Sequence, residues 1–166
     1  LSSSSAASDV YKRQSIWCVV CKEIYGDLKV FRNKEKFNSY ILQDDVFIAH
    51  NGITFDIPLL RKLWNSDIQN VEDTLIMSRL YNPEREGGHS LEAWGNKLGY
   101  KKISFSDFSQ YSEEMLEYCK RDVVLTEKVY HILLAEGKPF SRKSLELEYN
   151  IACLLYTSPS PRDGLL

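Results

Sequence analysis

The stretch FIAHNGITFDIPLL, residues 47–60, decides how the chain is interpreted. Its first part is a short apolar run that ends at Asn51-Gly52, which is typical of a buried strand followed by a sharp turn. Pro58 belongs in the first turn of a helix, and the leucines after it form that helix's buried face. Asp56 therefore lies between the end of a strand and the start of a helix. Two interpretations stay open, a helix cap or a carboxylate directed at a cation.

The longest predicted helix, from Ser112 to Glu136, carries a second candidate carboxylate. Asp122 is the only charged member of two neighbouring apolar stripes at helical spacing. An ionised carboxylate on a core-facing stripe is costly unless a cation or hydrogen-bond donors meet it. Tyr118 lies one turn earlier on the same face, so its hydroxyl can reach the same point. The alternative is an aspartate that pairs with a buried arginine or caps a loop.

The rest of the chain mixes strand and helix patterns. Two β-rich runs, SIWCVVCKEI and LKVF, flank Tyr-Gly-Asp at residues 25–27 and predict a hairpin. Helices are predicted around Phe37, over HSLEAWGNKLG up to Gly99, and from residue 144 to residue 152. VEDTLIM is ambiguous between the end of a strand and the start of a helix. The mixture predicts an α/β domain whose helices cover a mixed sheet.

Composition bounds the function only loosely. The chain has 166 residues, 43% of them hydrophobic and 12% aromatic, which is enough to bury a core. Its net charge of −2 argues against a basic nucleic-acid clamp, although not against a metal-mediated grip on phosphate. No apolar run approaches the roughly 18 residues that a membrane span requires, and no signal peptide is recognisable. We therefore expect a cytoplasmic domain with no membrane partner.

Residues 1–14 and 153–166 are predicted to be non-native tails. The segment DVYKRQ, residues 9–14, can be written GAT GTG TAT AAG AGA CAG. The reverse complement of that string, read from its second base, encodes CLLYTS, the sequence of residues 153–158. Two unrelated protein ends are not expected to be reverse complements, and both resemble translated adapters from sequencing libraries. Such segments are set aside before the fold is considered.

Cys18-Val-Val-Cys21 matches a Cys-x-x-Cys pattern, but it falls in a β-rich run. Side chains three residues apart on a strand point to opposite faces, so the two thiols are not expected to meet. A zinc site would need further cysteine or histidine ligands at suitable spacing. We expect buried free thiols in a reducing cytoplasm.

Taken in order along the chain, the motifs resemble those of a known family. HNGITFDIPLL, followed about sixty residues later by YCKRD, is similar to the second and third motifs of the DEDD superfamily of 3′–5′ exonucleases, tyrosine subclass. EDTLIMSRL and HSLEAWGNKLG resemble the proofreading domain of phage-type family A DNA polymerases. SLELEYNIA, residues 144–152, resembles the helix that leads into their polymerase region. The resemblance implies a ribonuclease H-like fold over residues 15–143, with a mixed β-sheet and flanking helices.

The resemblance also implies a site and its cofactors. Asp122 would be a direct metal ligand, and Asp56 would hold the shell of a second cation, through water. Tyr118 would orient the attacking water, and Asn51 would contact the substrate strand. Two Mg²⁺ or Mn²⁺ ions would activate the water and stabilise the leaving oxygen. The implied substrate is a single-stranded DNA 3′ end, and the implied partner is the polymerase domain of the same parent chain.

One part of the family pattern is absent. Family members carry an Asp-x-Glu on a first strand just before the segment that here begins SIWCVV, and the adapter-like residues 4–14 occupy those positions. We therefore expect the first strand to be missing, metal binding to be weak and this chain to be inactive, whereas its parent would be active. Two alternatives stay open: a catalytically silent DNA-binding or scaffold domain, and a free-standing exonuclease of the same superfamily.

Overall fold

The computed structural model describes residues 15–100, 103 and 105–157, in which strands and helices are mixed as the sequence predicts. The described strands are β1 (Val19–Lys22), β2 (Leu28–Phe31), β3 (Val46–Ala49) and β4 (Asn70–Asp73). The described helices are α1 (Lys34–Tyr40), α2 (Asp56–Trp64), α3 (Thr74–Tyr81), α4 (Leu91–Lys97), α5 (Glu113–Glu136) and α6 (Arg142–Thr157). Residues 1–14 and 158–166, for which non-native tails are predicted, lie outside the described residues.

The predicted hairpin is formed by β1 and β2, which pair antiparallel with Val19 opposite Phe31. Tyr25 adopts a left-handed conformation with φ of 61°, and the Gly26 N–H donates to the Glu23 carbonyl oxygen at 2.8 Å. This tight turn reverses the chain between the two strands.

β3 and β4 pair in parallel, with Val46 opposite Asn70 and Ala49 opposite Asp73. A parallel pair needs a crossover connection, and α2 provides it. The ambiguous segment VEDTLIM proves to be both elements. β4 ends at Asp73, and α3 begins at the next residue with the Asp73 side chain as its N-cap.

The single mixed sheet that the sequence predicts is not formed by the described residues. Among them, β1 pairs with β2 and β3 pairs with β4, which gives two separate two-stranded sheets. Both β1 and β3 pack on α5. Strands join one sheet only through hydrogen-bonded neighbours, and no described strand lies between β1 and β3.

Helix α5 passes through the main core, as its apolar stripes predict. Leu125, Val129 and Leu133 have no exposed surface, and the neighbouring α4 buries Trp94 against them. A second apolar cluster lies under the β1–β2 hairpin and α2 and consists of Phe37, Ile57, Leu60, Trp64 and Ile68. The two clusters adjoin at the half-buried Val71 of β4, which packs against both.

Helix α6 starts two residues before the predicted 144–152 and extends five residues beyond it. It packs on the core through Leu145 and Tyr149, which lie one turn apart. Across the part of the chain that the structure describes, no helix is both long and apolar enough to cross a membrane.

Candidate active site

Asp56 is the first residue of α2, at the carboxyl end of the β3 strand and its turn. The N-cap position belongs to Phe55, and no side chain makes a capping hydrogen bond there. Asp56 is therefore not the N-cap, the simpler of the two interpretations that the sequence left open. Its side chain is exposed to solvent, so a cation or a ligand can approach it.

The turn that precedes Asp56 depends on two residues with special backbone requirements. Asn51 has a φ of 66°, in the left-handed region that asparagine tolerates. A Cβ atom on Gly52 would lie 2.3 Å from the Ala49 Cβ, so only glycine fits at this position. The Gly52 carbonyl oxygen then accepts hydrogen bonds from the N–H groups of Phe55 and Ile57, which leads the chain into α2.

Asp73 fixes this turn, although no local sequence pattern singles it out for that role. Its buried carboxylate accepts hydrogen bonds from the N–H groups of Asn51, at 2.9 Å, and Ile53, at 3.1 Å. The same carboxylate accepts from Leu75 at 2.9 Å and from Ile76 at 3.4 Å, the first N–H groups of α3. Asp73 thus links the start of α3 to the turn before Asp56. Asp73-Thr74 is a typical start of a helix, so the capping role of Asp73 could be predicted from the sequence. Its hydrogen bonds to the N–H groups of Asn51 and Ile53 could not.

Asp122 lies on α5, half-buried, one turn after Tyr118. The Tyr118 ring packs near Phe105 and Phe108, with ring centroids 6.0 Å and 5.9 Å away. These two phenylalanines belong to the segment before α5, so the Tyr118 ring packs against residues outside its own helix. The predicted placement of Asp122 and Tyr118 on one helix face is confirmed.

Asp56 and Asp122 influence each other electrostatically. Burial among protein atoms and the charge of Asp73 raise the pKa of Asp56 to about 6, and Asp122 contributes in the same direction. Because solvent reaches the Asp56 side chain, water screens part of this effect. The pKa of Cys119 is raised chiefly by its interaction with Cys18 and by burial. The charges of Asp122 and Asp56 raise it further. The charge of Asp122 therefore acts on Asp56 although the two residues lie on elements far apart in sequence.

The donor set fits a hard divalent cation in part. Carboxylate oxygens are the ligands that Mg²⁺ prefers, and the mutual repulsion of Asp56 and Asp122 is relieved when a cation lies between them. Asp73 does not serve as a ligand, because four backbone N–H groups occupy its oxygens. Within the described residues, no three histidine, cysteine, aspartate or glutamate side chains are grouped closely enough to hold a metal ion. Two carboxylates alone are fewer than a two-metal site requires.

Asn51 and His50 line the same turn. The Asn51 side-chain oxygen accepts a hydrogen bond from the Thr54 hydroxyl at 2.7 Å, and its side chain is exposed. His50 Nδ1 lies 2.9 Å from the Thr74 hydroxyl, which ties β3 to the start of α3. Contact of Asn51 with a substrate strand stays a prediction.

Comparison with known proteins gives a consistent result. A family model described as 3′–5′ exonuclease, of the A-type DNA polymerases, matches residues 24–138. The DNA-directed DNA polymerase of Escherichia phage T7 is 27% identical over an alignment of 143 residues, and the match covers 60% of this chain and 20% of that protein. The DNA-directed DNA polymerase of Enterobacteria phage T3 is 28% identical over an alignment of 138 residues, and that match covers 57% of this chain and 20% of that protein. The chain thus spans about a fifth of these relatives. No solved structure gives a significant match.

Proposed function

Because the chain belongs to the 3′–5′ exonuclease domain family of the A-type DNA polymerases, we propose that its parent removes nucleotides from a single-stranded DNA 3′ end. The observation that carries the proposal is the match of residues 24–138 to the 3′–5′ exonuclease family, and the influence of the Asp122 charge on Asp56 agrees with it. The parent would also be a DNA polymerase, for which this domain proofreads during DNA replication, in the cytoplasm of a bacterial host if a phage encodes it.

Each site residue has a proposed role. Asp122 would bind a divalent cation directly, and Asp56 would hold a second cation's shell through water. Tyr118, supported by Phe105 and Phe108, would orient the attacking water through its hydroxyl. Asn51 would contact the substrate strand. The two Mg²⁺ or Mn²⁺ ions, when bound, would supply charge stabilisation for the in-line displacement at phosphorus.

The two separate sheets suggest where the missing carboxylates belong in a ribonuclease H-like arrangement. β1 and β3 both pack on α5, and a strand between them would join the two sheets into one. β3 leads at its carboxyl end to the Asp56 turn, whereas β1 begins shortly after Trp17, whose indole N–H donates to the carbonyl oxygen of Phe108, a ring neighbour of Tyr118. β1 and β3 would therefore run in opposite directions beside Asp122. A strand parallel to β3 would carry an Asp-x-Glu towards the same volume.

The proposal predicts that the chain as it stands has little nuclease activity. With two carboxylates instead of four, a pair of cations would lack half of its anionic ligands, and metal affinity would fall accordingly. Joining the parent's own preceding strand in place of residues 1–14 should restore both the sheet and the site.

Degradation of a 5′-labelled single-stranded oligonucleotide tests the function. With Mg²⁺, the restored domain should produce a ladder that shortens from the 3′ end, and EDTA should abolish it. Asp122→Asn should lower the rate by at least about 100-fold, because a direct metal ligand is lost. The control Asp67→Asn changes an exposed carboxylate on the loop after α2 and should leave the rate unchanged.

The outcomes separate the alternatives. A restored domain that binds the oligonucleotide but does not shorten it would contradict the enzyme and support a silent scaffold. Shortening of RNA in preference to DNA would instead contradict a DNA proofreading role and favour a free-standing exonuclease of the same superfamily. A rate that Asp122→Asn leaves intact would remove Asp122 from the site.

A further inference from the structure

One end of the β1–β2 hairpin is attached to the segment that leads into α5. Trp17, two residues before β1, donates its indole N–H to the Phe108 carbonyl oxygen at 3.3 Å. Arg32, directly after β2, places its guanidinium over the Tyr111 ring, with the guanidinium carbon 3.3 Å from the ring centroid. Two residues of the hairpin end therefore contact two residues of one segment. These four residues, Trp17, Arg32, Phe108 and Tyr111, form what we call the hairpin-end surface.

The hairpin-end surface borders the candidate active site. The rings of Phe108 and Tyr118 meet edge to face, with centroids 5.9 Å apart and ring planes at 79°. Phe105 completes the cluster, 4.9 Å from Phe108 and 6.0 Å from Tyr118 between ring centroids. Phe108 therefore connects the hairpin end to the tyrosine that lies one turn before Asp122.

Arg32 presents a positive charge at this surface. Its side chain is exposed, and within the part of the chain that the structure describes no carboxylate forms an ion pair with it. The Tyr111 ring positions the guanidinium, and the Tyr111 hydroxyl is itself fixed by donating to Glu113 at 3.0 Å. A guanidinium held over a ring keeps its N–H donors for another partner, and its planar fork matches a phosphate.

Trp17 presents an aromatic ring at the same surface. It is 40% exposed, whereas Trp64 and Trp94, the other two tryptophans, are 8% and 1% exposed. The hydrogen bond to Phe108 satisfies the indole N–H and orients the ring. One exposed tryptophan needs no explanation by itself. An oriented ring beside an arginine without a carboxylate partner, however, is the combination that binds unpaired bases and their phosphates.

We propose that the hairpin-end surface binds single-stranded DNA just upstream of its 3′ end. Arg32 binds a backbone phosphate, and Trp17 stacks on an unpaired base. The inference rests on the proposed nuclease function for the direction of the strand, because the 3′ end would lie beyond Phe108, at Tyr118. Since the chain has a net charge of −2, its grip on a polyanion has to come from a local cation such as Arg32.

Binding of a single-stranded oligonucleotide in the presence of EDTA tests the proposal on the chain as it stands. Neither metal nor cleavage is needed, so the result is independent of the nuclease assay. The probe is a 5′-fluorescein thymidine oligonucleotide of about 12 nucleotides, within the length that one such surface can bind. Its anisotropy, titrated at several salt concentrations, gives both the dissociation constant and the salt dependence of binding.

Arg32→Ala tests the phosphate contact. It should weaken binding about 5-fold at low salt and reduce the slope of log affinity against log salt by about 0.7, because one phosphate contact to a single strand is lost. The control Arg79→Ala changes an exposed arginine on α3, which contributes nothing to the hairpin-end surface, and should alter neither quantity. The role of Arg32 is overturned if the two variants change the slope equally or not at all.

Trp17→Leu and Trp17→Phe test the stacking contact. Trp17→Leu should weaken binding about 10-fold without changing the salt slope, because the loss is not electrostatic. Trp17→Phe keeps a ring and should retain most of the affinity. Because Trp64 and Trp94 are buried, tryptophan emission of the unmodified chain should fall as the oligonucleotide binds, and Trp17→Phe should remove this fall. Emission that still falls in Trp17→Phe would exclude Trp17 as the stacking residue.

The outcomes separate this proposal from the proposed function. A restored domain that shortens DNA, while the Trp17 and Arg32 variants bind as well as the unmodified chain, would overturn the hairpin-end surface and leave the nuclease intact. Binding that depends on both residues in a restored domain that does not cut would support the surface and contradict the nuclease. Equal affinity for a blunt duplex, or no binding of the single strand, would overturn the surface.

Discussion

Asp73 shows how one side chain sets the geometry of the turn before Asp56. Four backbone N–H groups donate to its carboxylate, two from the turn and two from α3. Burial raises the pKa of Asp73 in spite of these donors, so the ionised carboxylate is disfavoured at this position. The turn is therefore stabilised by a residue that would not itself touch a substrate.

Asp73→Ala should destabilise the protein by about 2–4 kcal/mol, because four backbone N–H groups, that of Ile53 buried, lose the carboxylate that accepts from them. Urea unfolding measures the loss, and amide exchange at residues 51–53 should accelerate with it. Asp67→Ala, an exposed aspartate, is the matched control and should cost less than about 0.5 kcal/mol. A loss for Asp73→Ala as small as that of the control would show that the turn does not depend on this carboxylate.

Asp56 should make stability depend on pH. A carboxyl whose pKa rises on folding binds its proton more tightly in the folded state, so stability declines as pH rises from about 4 to about 6. Asp56→Asn should remove this decline and raise the unfolding free energy at pH 8 by about 1 kcal/mol, after allowance for solvent screening. At pH 4 the substitution should bring little gain.

Asp107 is the opposite case and serves as the control. Hydrogen bonds from Ser109 lower the pKa of Asp107, so Asp107→Asn should not stabilise the protein at pH 8. Urea titrations of both variants at pH 4 and pH 8 measure the difference. A gain for Asp56→Asn that is equal at both pH values would contradict a raised pKa.

The sequence predicted the site residues unequally, for physical reasons. Asp122 and Tyr118 stood out because a charge in an apolar helical stripe is costly, which periodicity alone reveals. Asp56 stood out because it follows a strand and a turn. Asp73 did not stand out, because two of its four donors lie 20 and 22 residues earlier in the chain. Contacts of that separation leave no local pattern.

At the scale of elements, the connection from β3 to α2 depends on a close backbone approach. Gly52→Ala should destabilise the protein by about 2–3 kcal/mol, since its new methyl group would meet the Ala49 side chain at 2.3 Å. Ala49→Gly removes that methyl group, at a cost of about 1 kcal/mol for glycine in a strand.

A double-mutant cycle isolates the clash. Ala49→Gly together with Gly52→Ala should be more stable than the sum of the single losses predicts, by at least about 1 kcal/mol. Urea unfolding of the four proteins gives the coupling energy. Additive losses would mean that Gly52 is needed for its backbone conformation and not for the space beside Ala49.

The elements were predicted more fully than their assembly. Helices α4 and α5 and the hairpin follow from periodicity, caps and turn residues, which are local. The boundary between β4 and α3 was ambiguous, because Asp73 ends one element and caps the next. The division into two sheets was not predicted, since strand pairing depends on neighbours that the described residues do not supply.

At the scale of the whole molecule, α5 is the helix against which several of the other described elements pack. The hairpin, the parallel pair, α3 and α4 all pack against it, and it carries Tyr118, Cys119 and Asp122. The candidate site thus lies where the two sheets meet a common helix. A strand between β1 and β3 would complete both the sheet and the carboxylate set.

The most direct test of the account is to read the parent gene upstream of the codon for Ser15. The account predicts a β-rich run immediately before that codon, with an aspartate and a glutamate separated by one residue. Those acids would join Asp56 and Asp122 on the α5 side of the completed sheet. An upstream run without two such acids would contradict the account, because the parent would then lack the ligands for two-metal hydrolysis.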